Sequence, residues 1–438
     1  MKRAIVLGGG GTRGSYEVGV WRALNELGID YQIVTGTSIG SINGVFMAIG
    51  EYERAYMLWD TIRMENMMED GINLTETLEG MLEQKDAIRP FLKKYMKNKG
   101  ADISPFDAFI ENMTDEKKLR DSKVDFGLVT TQFPSLKGVE LAKNEIPQGM
   151  LKDYLLASSA IFPLFPMHKI GTETYIDGCY YDNLPVDFAI RLGAEEVIAV
   201  DLKTNPTHPA YAKRPYVTYI KPTHSLGTMM NFDHTLLVDN MEMGYQDAMK
   251  KFGRYSGFFY TFTDTDFTLW EKEISTFSRW IAKLEAQFSR NRNRISKFAG
   301  AFDVSAVFTE LEAHTDGKAV DKKDYFIRGA ETAAEVLGLD EKKTYGFSEF
   351  LSCIQNAVLP EESCTDVAAF AAKSRRTLLA KLAEWKRKEE SAYAASCMYH
   401  AIRKGLAADT EKIGLLTAFP RELIAALFLS AFGMGNQE

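Results

Sequence analysis

The first half of the chain alternates short apolar runs with amphipathic stretches. The run RAIVLG predicts a strand that leads into four consecutive glycines, Gly8–Gly11. The stretch SYEVGVWRALNELG places apolar residues at helical spacing and stops at Gly28, so it predicts a helix. The runs YQIVTGT and SIGSINGVFMAIG repeat this pair and predict a second strand followed by a second helix.

Four later segments continue the strand pattern, namely VDFGLVTTQF, GTETYIDG, EEVIAVDL and YVTYIKP. Alternating strands and helices are typical of a mostly parallel sheet with helices on both faces, because parallel neighbours need a crossover connection. The sequence therefore predicts an α/β fold for this half of the chain.

The pattern changes twice further along the chain. Residues from about 55 to 119 are Met-rich and helical, which predicts a helical insertion or cap over the sheet's upper edge. Strands disappear after about residue 250, so we predict an α/β domain at 1–249 and an all-helical region of unknown role at 250–438. Within that region, the apolar segment Leu423–Phe432 is too short to span a bilayer and predicts a buried terminal helix.

Charge and composition narrow the expected partners. The 438 residues carry a formal net charge of −8 and no concentrated basic stripe, so no nucleic-acid partner is expected. No signal peptide and no transmembrane stretch is recognisable, so we expect a cytoplasmic protein that meets a membrane only peripherally. The four cysteines form no C-x-x-C pair and do not cluster with the six histidines, so neither a metal site nor a disulfide framework is predicted.

The second predicted strand runs into a G-x-S-x-G motif, Gly36–Gly40, with Ser38 at its centre. A serine on a sharp strand-to-helix turn exposes its hydroxyl, and small residues two places before and after it let strand and helix approach. The motif predicts a nucleophile elbow, with the N–H of Ile39 as a candidate donor to a reacting oxygen. A glycine-rich turn with Ser38 as helix N-cap is the alternative that the pattern leaves open.

The first glycine loop allows two interpretations. Gly9, Gly11 and Gly14 satisfy the G-x-G-x-x-G spacing of a dinucleotide-binding turn. That interpretation also requires an acidic residue at the end of the second strand, where this chain has Ser38. In the other interpretation, backbone N–H groups of Gly9, Gly10 and Gly11 face the oxygen that becomes negative when a serine attacks an ester.

A nucleophilic serine needs a base, for which the chain offers histidines and a carboxylate. His224 and His234 are the least implausible histidines, although neither follows a clear strand end. Asp177, followed by Gly178, ends a predicted strand, and a carboxylate in dry surroundings can act as the base directly. Both a Ser–His–Asp and a Ser–Asp arrangement are open at this point. The other histidines are His168, His208, His314 and His400.

These blocks occur in the order found in the patatin-like phospholipase family, which the chain resembles. Gly9–Gly14 is similar to the family's G-G-G-x-[R/K]-G loop, and the motif around Ser38 follows one helix and one strand later. The segment Leu155–Pro166, LLASSAIFPLFP, resembles the small-residue, proline-containing block before the family's aspartate. Asp177-Gly178-Cys179 resembles the family's D-G-[G/A] motif, and the resemblance covers about residues 1–245.

The resemblance implies a three-layer α/β/α fold and a lipid acyl hydrolase that needs no metal, nucleotide or other cofactor. It implies Ser38 as nucleophile and Asp177 as general base. It also implies a lipid or phospholipid substrate, which we expect the protein to reach by transient contact with a membrane surface. The predicted supporting residues are Gly9, Gly10, Gly11 and Ile39 in an oxyanion hole, and Arg13, Gly36, Gly40 and Gly178 around the catalytic pair.

Several points stay open in the sequence. Cys179 stands where the family has glycine or alanine, and Phe162 delays the first proline of its block by one place, which predicts a changed wall of the acyl pocket. Arg13 either steadies the glycine loop, attracts a lipid phosphate, or forms a structural ion pair. Two other functional classes are a nucleotide-binding domain and a catalytically silent or partner-activated family member.

Overall fold

A sheet of eight strands organises the first of two compact units, Met1–Phe252, and the second unit is Gly253–Glu438. The computed structural model describes residues 1–68, 102–295, 304–315, 317, 319–371, 375–388, 390–406 and 416–435. The strands of the first unit are β1 Arg3–Leu7, β2 Ile33–Thr37, β3 Asp125–Phe133, β4 Lys137–Ala142, β5 His168–Ile170, β6 Glu173–Asp177, β7 Glu196–Val200 and β8 Val217–Ile220. Their order in the sheet is β5-β6-β3-β2-β1-β7-β8, and β4 also pairs with β3.

The centre of the sheet is parallel and one side is antiparallel. Strands β3, β2, β1, β7 and β8 run parallel to one another. Strands β4 and β6 run antiparallel to β3, and β5 runs antiparallel to β6. The predicted parallel core is confirmed, but β4 and β5 were not predicted. β5 has only three residues and β4 is exposed or half-buried throughout, so neither shows the alternation that marks a strand.

Helices cover both faces of this sheet. α2 packs on β1, β2 and β3, whereas α7 packs on β1, β2 and β7 and shares a core with Ala4 and Val6. Because successive strand residues point to opposite faces, Ile5 and Leu7 lie on the other side. The three-layer α/β/α arrangement is therefore confirmed. The helices of the unit are α1 Ser15–Glu26, α2 Ile39–Ile49, α3 Tyr52–Thr61, α4 Ser104–Met113, α5 Glu116–Asp121, α6 Leu151–Ser158, α7 Val186–Arg191 and α8 His234–Lys251.

The register along β3 brings the ends of β2 and β6 together. The parallel neighbour β2 pairs with the first half of β3 and ends with Thr37 opposite Val129. The antiparallel neighbour β6 pairs with the second half and ends with Asp177 opposite Thr130. Since β4 occupies the other edge of β3 over the same residues, β2 and β6 lie end to end on one edge. Their carboxyl ends therefore meet at adjacent residues of β3.

The structure describes the predicted helical insertion only at its two ends. α3 lies at its start, α4 and α5 lie at its end, and residues 69–101 between them lie outside the described part of the chain. Met64, Met67 and Met68 are buried at its start. The prediction that the segment caps the sheet stays a prediction.

The second unit is helical apart from one pair of very short strands. Its prediction as a helical region is confirmed, but β9 Thr261–Phe262 and β10 Thr344–Tyr345 form an unpredicted parallel pair. Strands of two residues are too short to leave a pattern in the sequence. The segment Leu423–Phe432 is buried throughout, as predicted. The described α-helices are α9 Glu271–Ile295, α10 Val304–Glu312, α11 Lys322–Leu337, α12 Phe347–Ala357, α13 Ala368–Ala371, α14 Arg375–Lys388, α15 Ser391–Arg403 and α16 Pro420–Gly435.

Among the residues described in either unit, no helix combines the length and the apolar character needed to cross a bilayer.

Candidate active site

Ser38 occupies a strained turn between β2 and α2. Its backbone has φ 55° and ψ −127°, a conformation that side-chain-bearing residues seldom adopt outside functional sites. A Cβ on Gly36 would overlap the carbonyl oxygen of Gly40, and a Cβ on Gly40 would come within 2.6 Å of the carbonyl oxygen of Leu7. Both small residues of the motif are thus needed for the close approach of helix and strand, as a nucleophile elbow requires.

Asp177 accepts a hydrogen bond from the hydroxyl of Ser38. The Ser38 Oγ donates to Asp177 Oδ2 at 2.7 Å, and the Asp177 side chain is buried, with 1% of the residue exposed. The Asp177 N–H donates to the carbonyl of Ala160 at 2.9 Å, which fixes the end of β6. A Cβ on Gly178 would overlap the carbonyl oxygen of Val129, so only glycine fits after the aspartate. The structure thus brings together the serine and the aspartate singled out in the sequence.

The surroundings of Asp177 adjust its affinity for a proton. Burial raises the pKa of Asp177 to about 6, although the N–H of Cys179 and the hydroxyl of Ser38 both favour the ionised form. The Cys179 N–H donates to Asp177 Oδ1 at 2.8 Å. Burial also raises the pKa of the Cys179 thiol, so that side chain stays neutral. A carboxylate with such a pKa is ionised near neutral pH yet basic enough to accept a proton from serine.

This pKa predicts how activity depends on pH. If Asp177 is the general base to Ser38, as the family resemblance implies, kcat/KM for an uncharged ester is expected to rise as pH increases through about 6, because only the ionised carboxylate can accept the Ser38 proton. Below that value the rate falls about tenfold per pH unit, and above it the rate is constant until another group titrates. A pH–rate profile with a soluble ester measures this limb. Activity that stays constant down to about pH 4 would show that Asp177 is not the base.

Ser158 supports the elbow and was not predicted. Its Oγ accepts the backbone N–H of Ser38 at 2.9 Å and donates to the carbonyl of Val129 at 2.7 Å. The Ser38 N–H is therefore satisfied within the protein. Ser158 belongs to the small-residue block LLASSAIFPLFP, which was noted for its family resemblance without a role for this hydroxyl.

The glycine loop departs from its prediction at Gly9. The Gly9 N–H donates to the carbonyl of Asn183 at 3.1 Å, and the Asn183 side-chain amide donates back to the Gly9 carbonyl at 3.1 Å. The assignment of Gly9 as an oxyanion donor is therefore corrected, because its N–H is already used. Within the described part of the chain, the N–H groups of Gly10, Gly11 and Ile39 have no protein acceptor.

The rest of the loop is tied to residues 227–229. The Thr12 N–H donates to the Met229 carbonyl at 2.9 Å, and the Arg13 Nε donates to the Gly227 carbonyl at 2.7 Å. Gly11 has a positive φ of 60°, and a Cβ there would overlap the Met229 carbonyl oxygen. No ion pair of Arg13 is found among the described residues, so of the expected roles its contacts match that of steadying the loop.

A cavity of about 260 Å³ opens at Ser38. Its polar end holds Ser38, Asp177 and the glycine loop, and most of its other lining residues are apolar. Ile161 and Phe165 line one wall, whereas Phe162 between them points outward and is exposed. The expected change of the pocket wall by Phe162 is therefore not seen at that side chain. The lining residues are Gly9, Gly10, Gly11, Thr12, Arg13, Ser38, Ile39, Ile42, Leu58, Trp59, Ile62, Met67, Phe106, Phe109, Ser159, Ile161, Phe165, Asp177, Cys179, Asn183, Lys203, Met229, Met230 and Phe232.

None of the six histidines lines this cavity, although all six lie in the described part of the chain. His168 contacts Asp153 at 3.1 Å, His208 contacts Asp182 at 3.1 Å, and His234 contacts Asp60 at 3.0 Å. A search of the described residues for three or more clustered histidine, cysteine or acidic side chains that would suit a metal ion finds no such group. The histidine candidates are therefore not brought to Ser38.

A buried carboxyl group lies behind the cavity wall. Glu17 of α1 is 1% exposed, and its Oε2 accepts from the Asn43 amide at 2.7 Å. Asn43 also donates to the carbonyl of Gly14 at 2.9 Å and accepts from the indole of Trp59 at 3.1 Å. Burial raises the pKa of Glu17 well above its ordinary value. Through Asn43, Glu17 is thus linked both to the glycine loop at Gly14 and to Trp59 in the cavity wall.

We expect Glu17→Gln to stabilise the protein at neutral pH. Because burial raises the pKa of Glu17 in the folded protein well above its ordinary value of about 4.5, the unfolded chain releases this proton first as pH rises, so this residue lowers stability above that value. Glutamine keeps the neutral shape and removes this loss, which grows by about 1.4 kcal/mol per pH unit. Urea denaturation at about pH 5 and about pH 8 measures it. Glu53→Gln, at an exposed position of α3, is the control; an equal effect there, or no gain for Glu17→Gln, contradicts the account.

The matching family model and two similar known proteins carry the same family name. The model of the patatin-like phospholipase family matches residues 5–190. The chain is 31% identical over 201 residues to rat patatin-like phospholipase domain-containing protein 7, covering 45% of this chain and 13% of the rat protein. It is 31% identical over 201 residues to the human patatin-like phospholipase domain-containing protein 6, with the same coverage of 45% and 13%.

A fungal relative and a bacterial structure complete the comparison. Lysophospholipase NTE1 of Phaeosphaeria nodorum is 29% identical over 204 residues, which are 45% of this chain and 12% of that protein. The crystal structure of VipD from Legionella pneumophila aligns with a TM-score of 0.40 at 15% identity, over 75% of this chain and 83% of that one. The chain thus spans about one eighth of the length of these curated relatives. The family model and the relatives' names agree, so residues 5–190 of this chain are similar to a patatin-like phospholipase domain.

Proposed function

We propose that this protein is a serine hydrolase that cleaves carboxylic esters of lipids through Ser38 and Asp177. The observation that carries the proposal is the 2.7 Å hydrogen bond from Ser38 Oγ to the buried Asp177 carboxylate. The bond lies at the polar end of a cavity whose other lining residues are mostly apolar. A nucleophile with its base at the end of an apolar cavity suits an ester that carries a long acyl chain.

The reaction follows from the atoms that face the cavity. Ser38 Oγ attacks the ester carbonyl carbon while its proton passes to Asp177 Oδ2. The carbonyl oxygen becomes negative and accepts from the N–H groups of Gly10 and Gly11 in the glycine loop and of Ile39 at the N-terminus of α2. The tetrahedral intermediate collapses as Asp177 returns the proton to the leaving alkoxide, and an acyl-Ser38 ester remains.

The second half of the reaction uses the same groups. Asp177 accepts a proton from a water molecule, and the resulting hydroxide attacks the acyl carbonyl carbon. The oxyanion forms again at the same N–H groups, the bond to Ser38 Oγ breaks, and Asp177 returns the proton to Ser38. The products are a carboxylic acid and the free enzyme, so atoms and charge balance without a cofactor.

The substrate class is proposed from the walls of the cavity and from the relatives. Ile42, Leu58, Ile62, Phe106 and Phe165 offer apolar surface to a hydrocarbon chain. A curated relative is named lysophospholipase, which makes lysophospholipids the first class to examine. Such a substrate resides in a lipid aggregate, so the protein contacts that surface transiently.

The dinucleotide alternative finds little support in the glycine loop. A phosphate cradle needs free backbone N–H groups in this turn. Those of Gly9, Thr12 and Arg13 donate instead to the carbonyls of Asn183, Met229 and Gly10. No observation in the described residues favours a nucleotide over an ester at this loop.

The direct test is product analysis with the full chain. Lysophosphatidylcholine, monoacylglycerol and phosphatidylcholine are each incubated with the protein in ¹⁸O-labelled water, and released fatty acid is identified by mass spectrometry. We expect fatty acid that carries one labelled oxygen, because water cleaves the acyl-serine ester. If no ester of the panel releases fatty acid, or if the label enters the alcohol product, the proposal is wrong.

A further inference from the structure

Exposed apolar side chains concentrate around the candidate active site. Of the ten large hydrophobic side chains that are exposed in the described part of the chain, five lie in three short segments of the first unit. These segments are the β3–β4 hairpin and the turns that follow Ala160 and Asp177. We call the five side chains the hairpin patch; they are Phe133, Leu136, Phe162, Tyr180 and Tyr181.

The hairpin projects past the strand that carries the nucleophile. β2 ends opposite Val129, but β3 continues for four more residues to Phe133. At about 3.3 Å per residue, Phe133 lies about 13 Å beyond the end of β2. Leu136 then follows at the tip before β4 returns. Because Ser38 follows the same end of β2, the tip projects on the side of the sheet where the cavity opens.

The turns that follow Ala160 and Asp177 lie between the hairpin and the cavity. Phe162 follows Ile161, and Tyr180 follows Cys179, and both preceding residues line the cavity. The Tyr180 hydroxyl donates to the Phe162 carbonyl, so the two turns contact each other.

Tyr181 connects the second turn to β4. Its ring lies so close to Gly138 that a Cβ on that glycine would overlap it. The three segments therefore form one connected surface beside the cavity.

Two lysines border the patch. Lys137 begins β4 directly after the hairpin tip, and Lys169 lies in the middle of β5; both are exposed. Neither has an ion pair among the described residues. Two carboxylates on neighbouring strands are engaged elsewhere, since Glu173 accepts from Gln132 and Glu140 pairs with Arg191. Aromatic side chains next to unpaired lysines suit a surface with an apolar interior and anionic headgroups.

We propose that the hairpin patch docks this unit onto an anionic lipid surface, with the cavity mouth facing the headgroups. This inference rests on the proposed lipid hydrolase function, since docking places the cavity where the ester substrate lies. Phe133, Leu136 and Phe162 enter the interface, the tyrosine hydroxyls stay at headgroup level, and the two lysines contact lipid phosphates. A protein partner would use the same apolar surface without needing anionic lipid.

Vesicle sedimentation with the full chain tests the docking. Vesicles of equal parts phosphatidylcholine and phosphatidylglycerol are mixed with wild type, with the double variant Phe133→Ser, Leu136→Glu, and with Leu269→Glu. Leu269 is 87% exposed in the second unit and serves as the matched control. We expect the double variant to bind at least about tenfold more weakly, since two apolar side chains no longer leave water, and the control to bind like wild type.

Hydrolysis of a water-soluble short-chain ester separates docking from catalysis. We expect the double variant to keep wild-type activity on this ester and to lose activity on the same vesicles. Equal sedimentation of the double variant and wild type overturns the docking proposal, and so does loss of soluble-ester activity in the double variant. Wild type that does not sediment with the vesicles also overturns it and points to a protein partner. Wild type that binds vesicles but cleaves no ester overturns the proposed function and leaves the lipid contact standing.

Discussion

Replacing Ser38 by alanine is expected to reduce ester hydrolysis by at least about 10³-fold while leaving the fold intact. The substitution removes the Oγ that donates to Asp177 at 2.7 Å and that we propose as the nucleophile. The substitution does not disturb packing in the core, because the side chain faces the cavity. Steady-state kinetics with a chromogenic ester, together with a thermal denaturation curve, measures the two expectations.

Ser159 provides the control for this substitution. Its hydroxyl belongs to the same cavity and has no hydrogen-bond partner among the described residues. We expect Ser159→Ala to change kcat by less than about tenfold, because it removes neither the proposed nucleophile nor its proposed base. The reverse result, with Ser38→Ala active and Ser159→Ala inactive, would show that Ser38 is not the nucleophile.

Asp177→Asn is expected to lower kcat/KM by about 10²- to 10⁴-fold, which is the usual contribution of a general base. An amide cannot accept the Ser38 proton, although it nearly keeps the shape of the carboxyl group. Because Asp177 is buried and its pKa is raised to about 6, a neutral side chain there does not destabilise the fold near neutral pH. The residual activity should no longer show the acid limb near that pKa.

Two comparisons make this result specific. Asp153→Asn neutralises a carboxylate that contacts His168 outside the cavity, and we expect it to keep near-wild-type activity. His224→Ala and His234→Ala examine the histidine alternative. Activity that survives Asp177→Asn but is lost in either histidine variant would support a Ser–His arrangement in place of the Ser–Asp pair.

Local features of the site could be predicted from the sequence because their causes are local. The turn at Ser38 needs small residues at fixed spacing, and Gly36 and Gly40 fill both positions. The strands and helices around it carry the periodicities that burial on one or both faces imposes. Such patterns need no knowledge of what the rest of the chain does.

The partner of Ser38 required more than the local pattern. Asp177 lies 139 residues away and reaches the serine only because β6 pairs antiparallel with the second half of β3. An Asp-Gly pair at a strand end is compatible with an ordinary turn. The order of several family-like blocks selected this aspartate, and pairing in the sheet explains physically why it lies beside the nucleophile.

The remaining details depend on contacts between distant segments. The Gly9 N–H donates to the carbonyl of Asn183, and the Ser38 N–H donates to the hydroxyl of Ser158. Glu17 is buried where α1 faces α2, and its carboxyl accepts from the Asn43 amide, which is 26 residues away in the sequence. Motif spacing specifies which N–H groups exist near a turn, but only the folded chain determines which of them are free.

Active-site labelling tests the central claim most directly. The purified full chain is treated with a fluorophosphonate, whose phosphorus is attacked by an activated serine, and the modified peptide is mapped by mass spectrometry. We predict stoichiometric modification of Ser38 alone, and strong slowing of the reaction in Asp177→Asn. Modification of a different serine, or efficient ester hydrolysis by a protein whose Ser38 resists the reagent, would contradict the account.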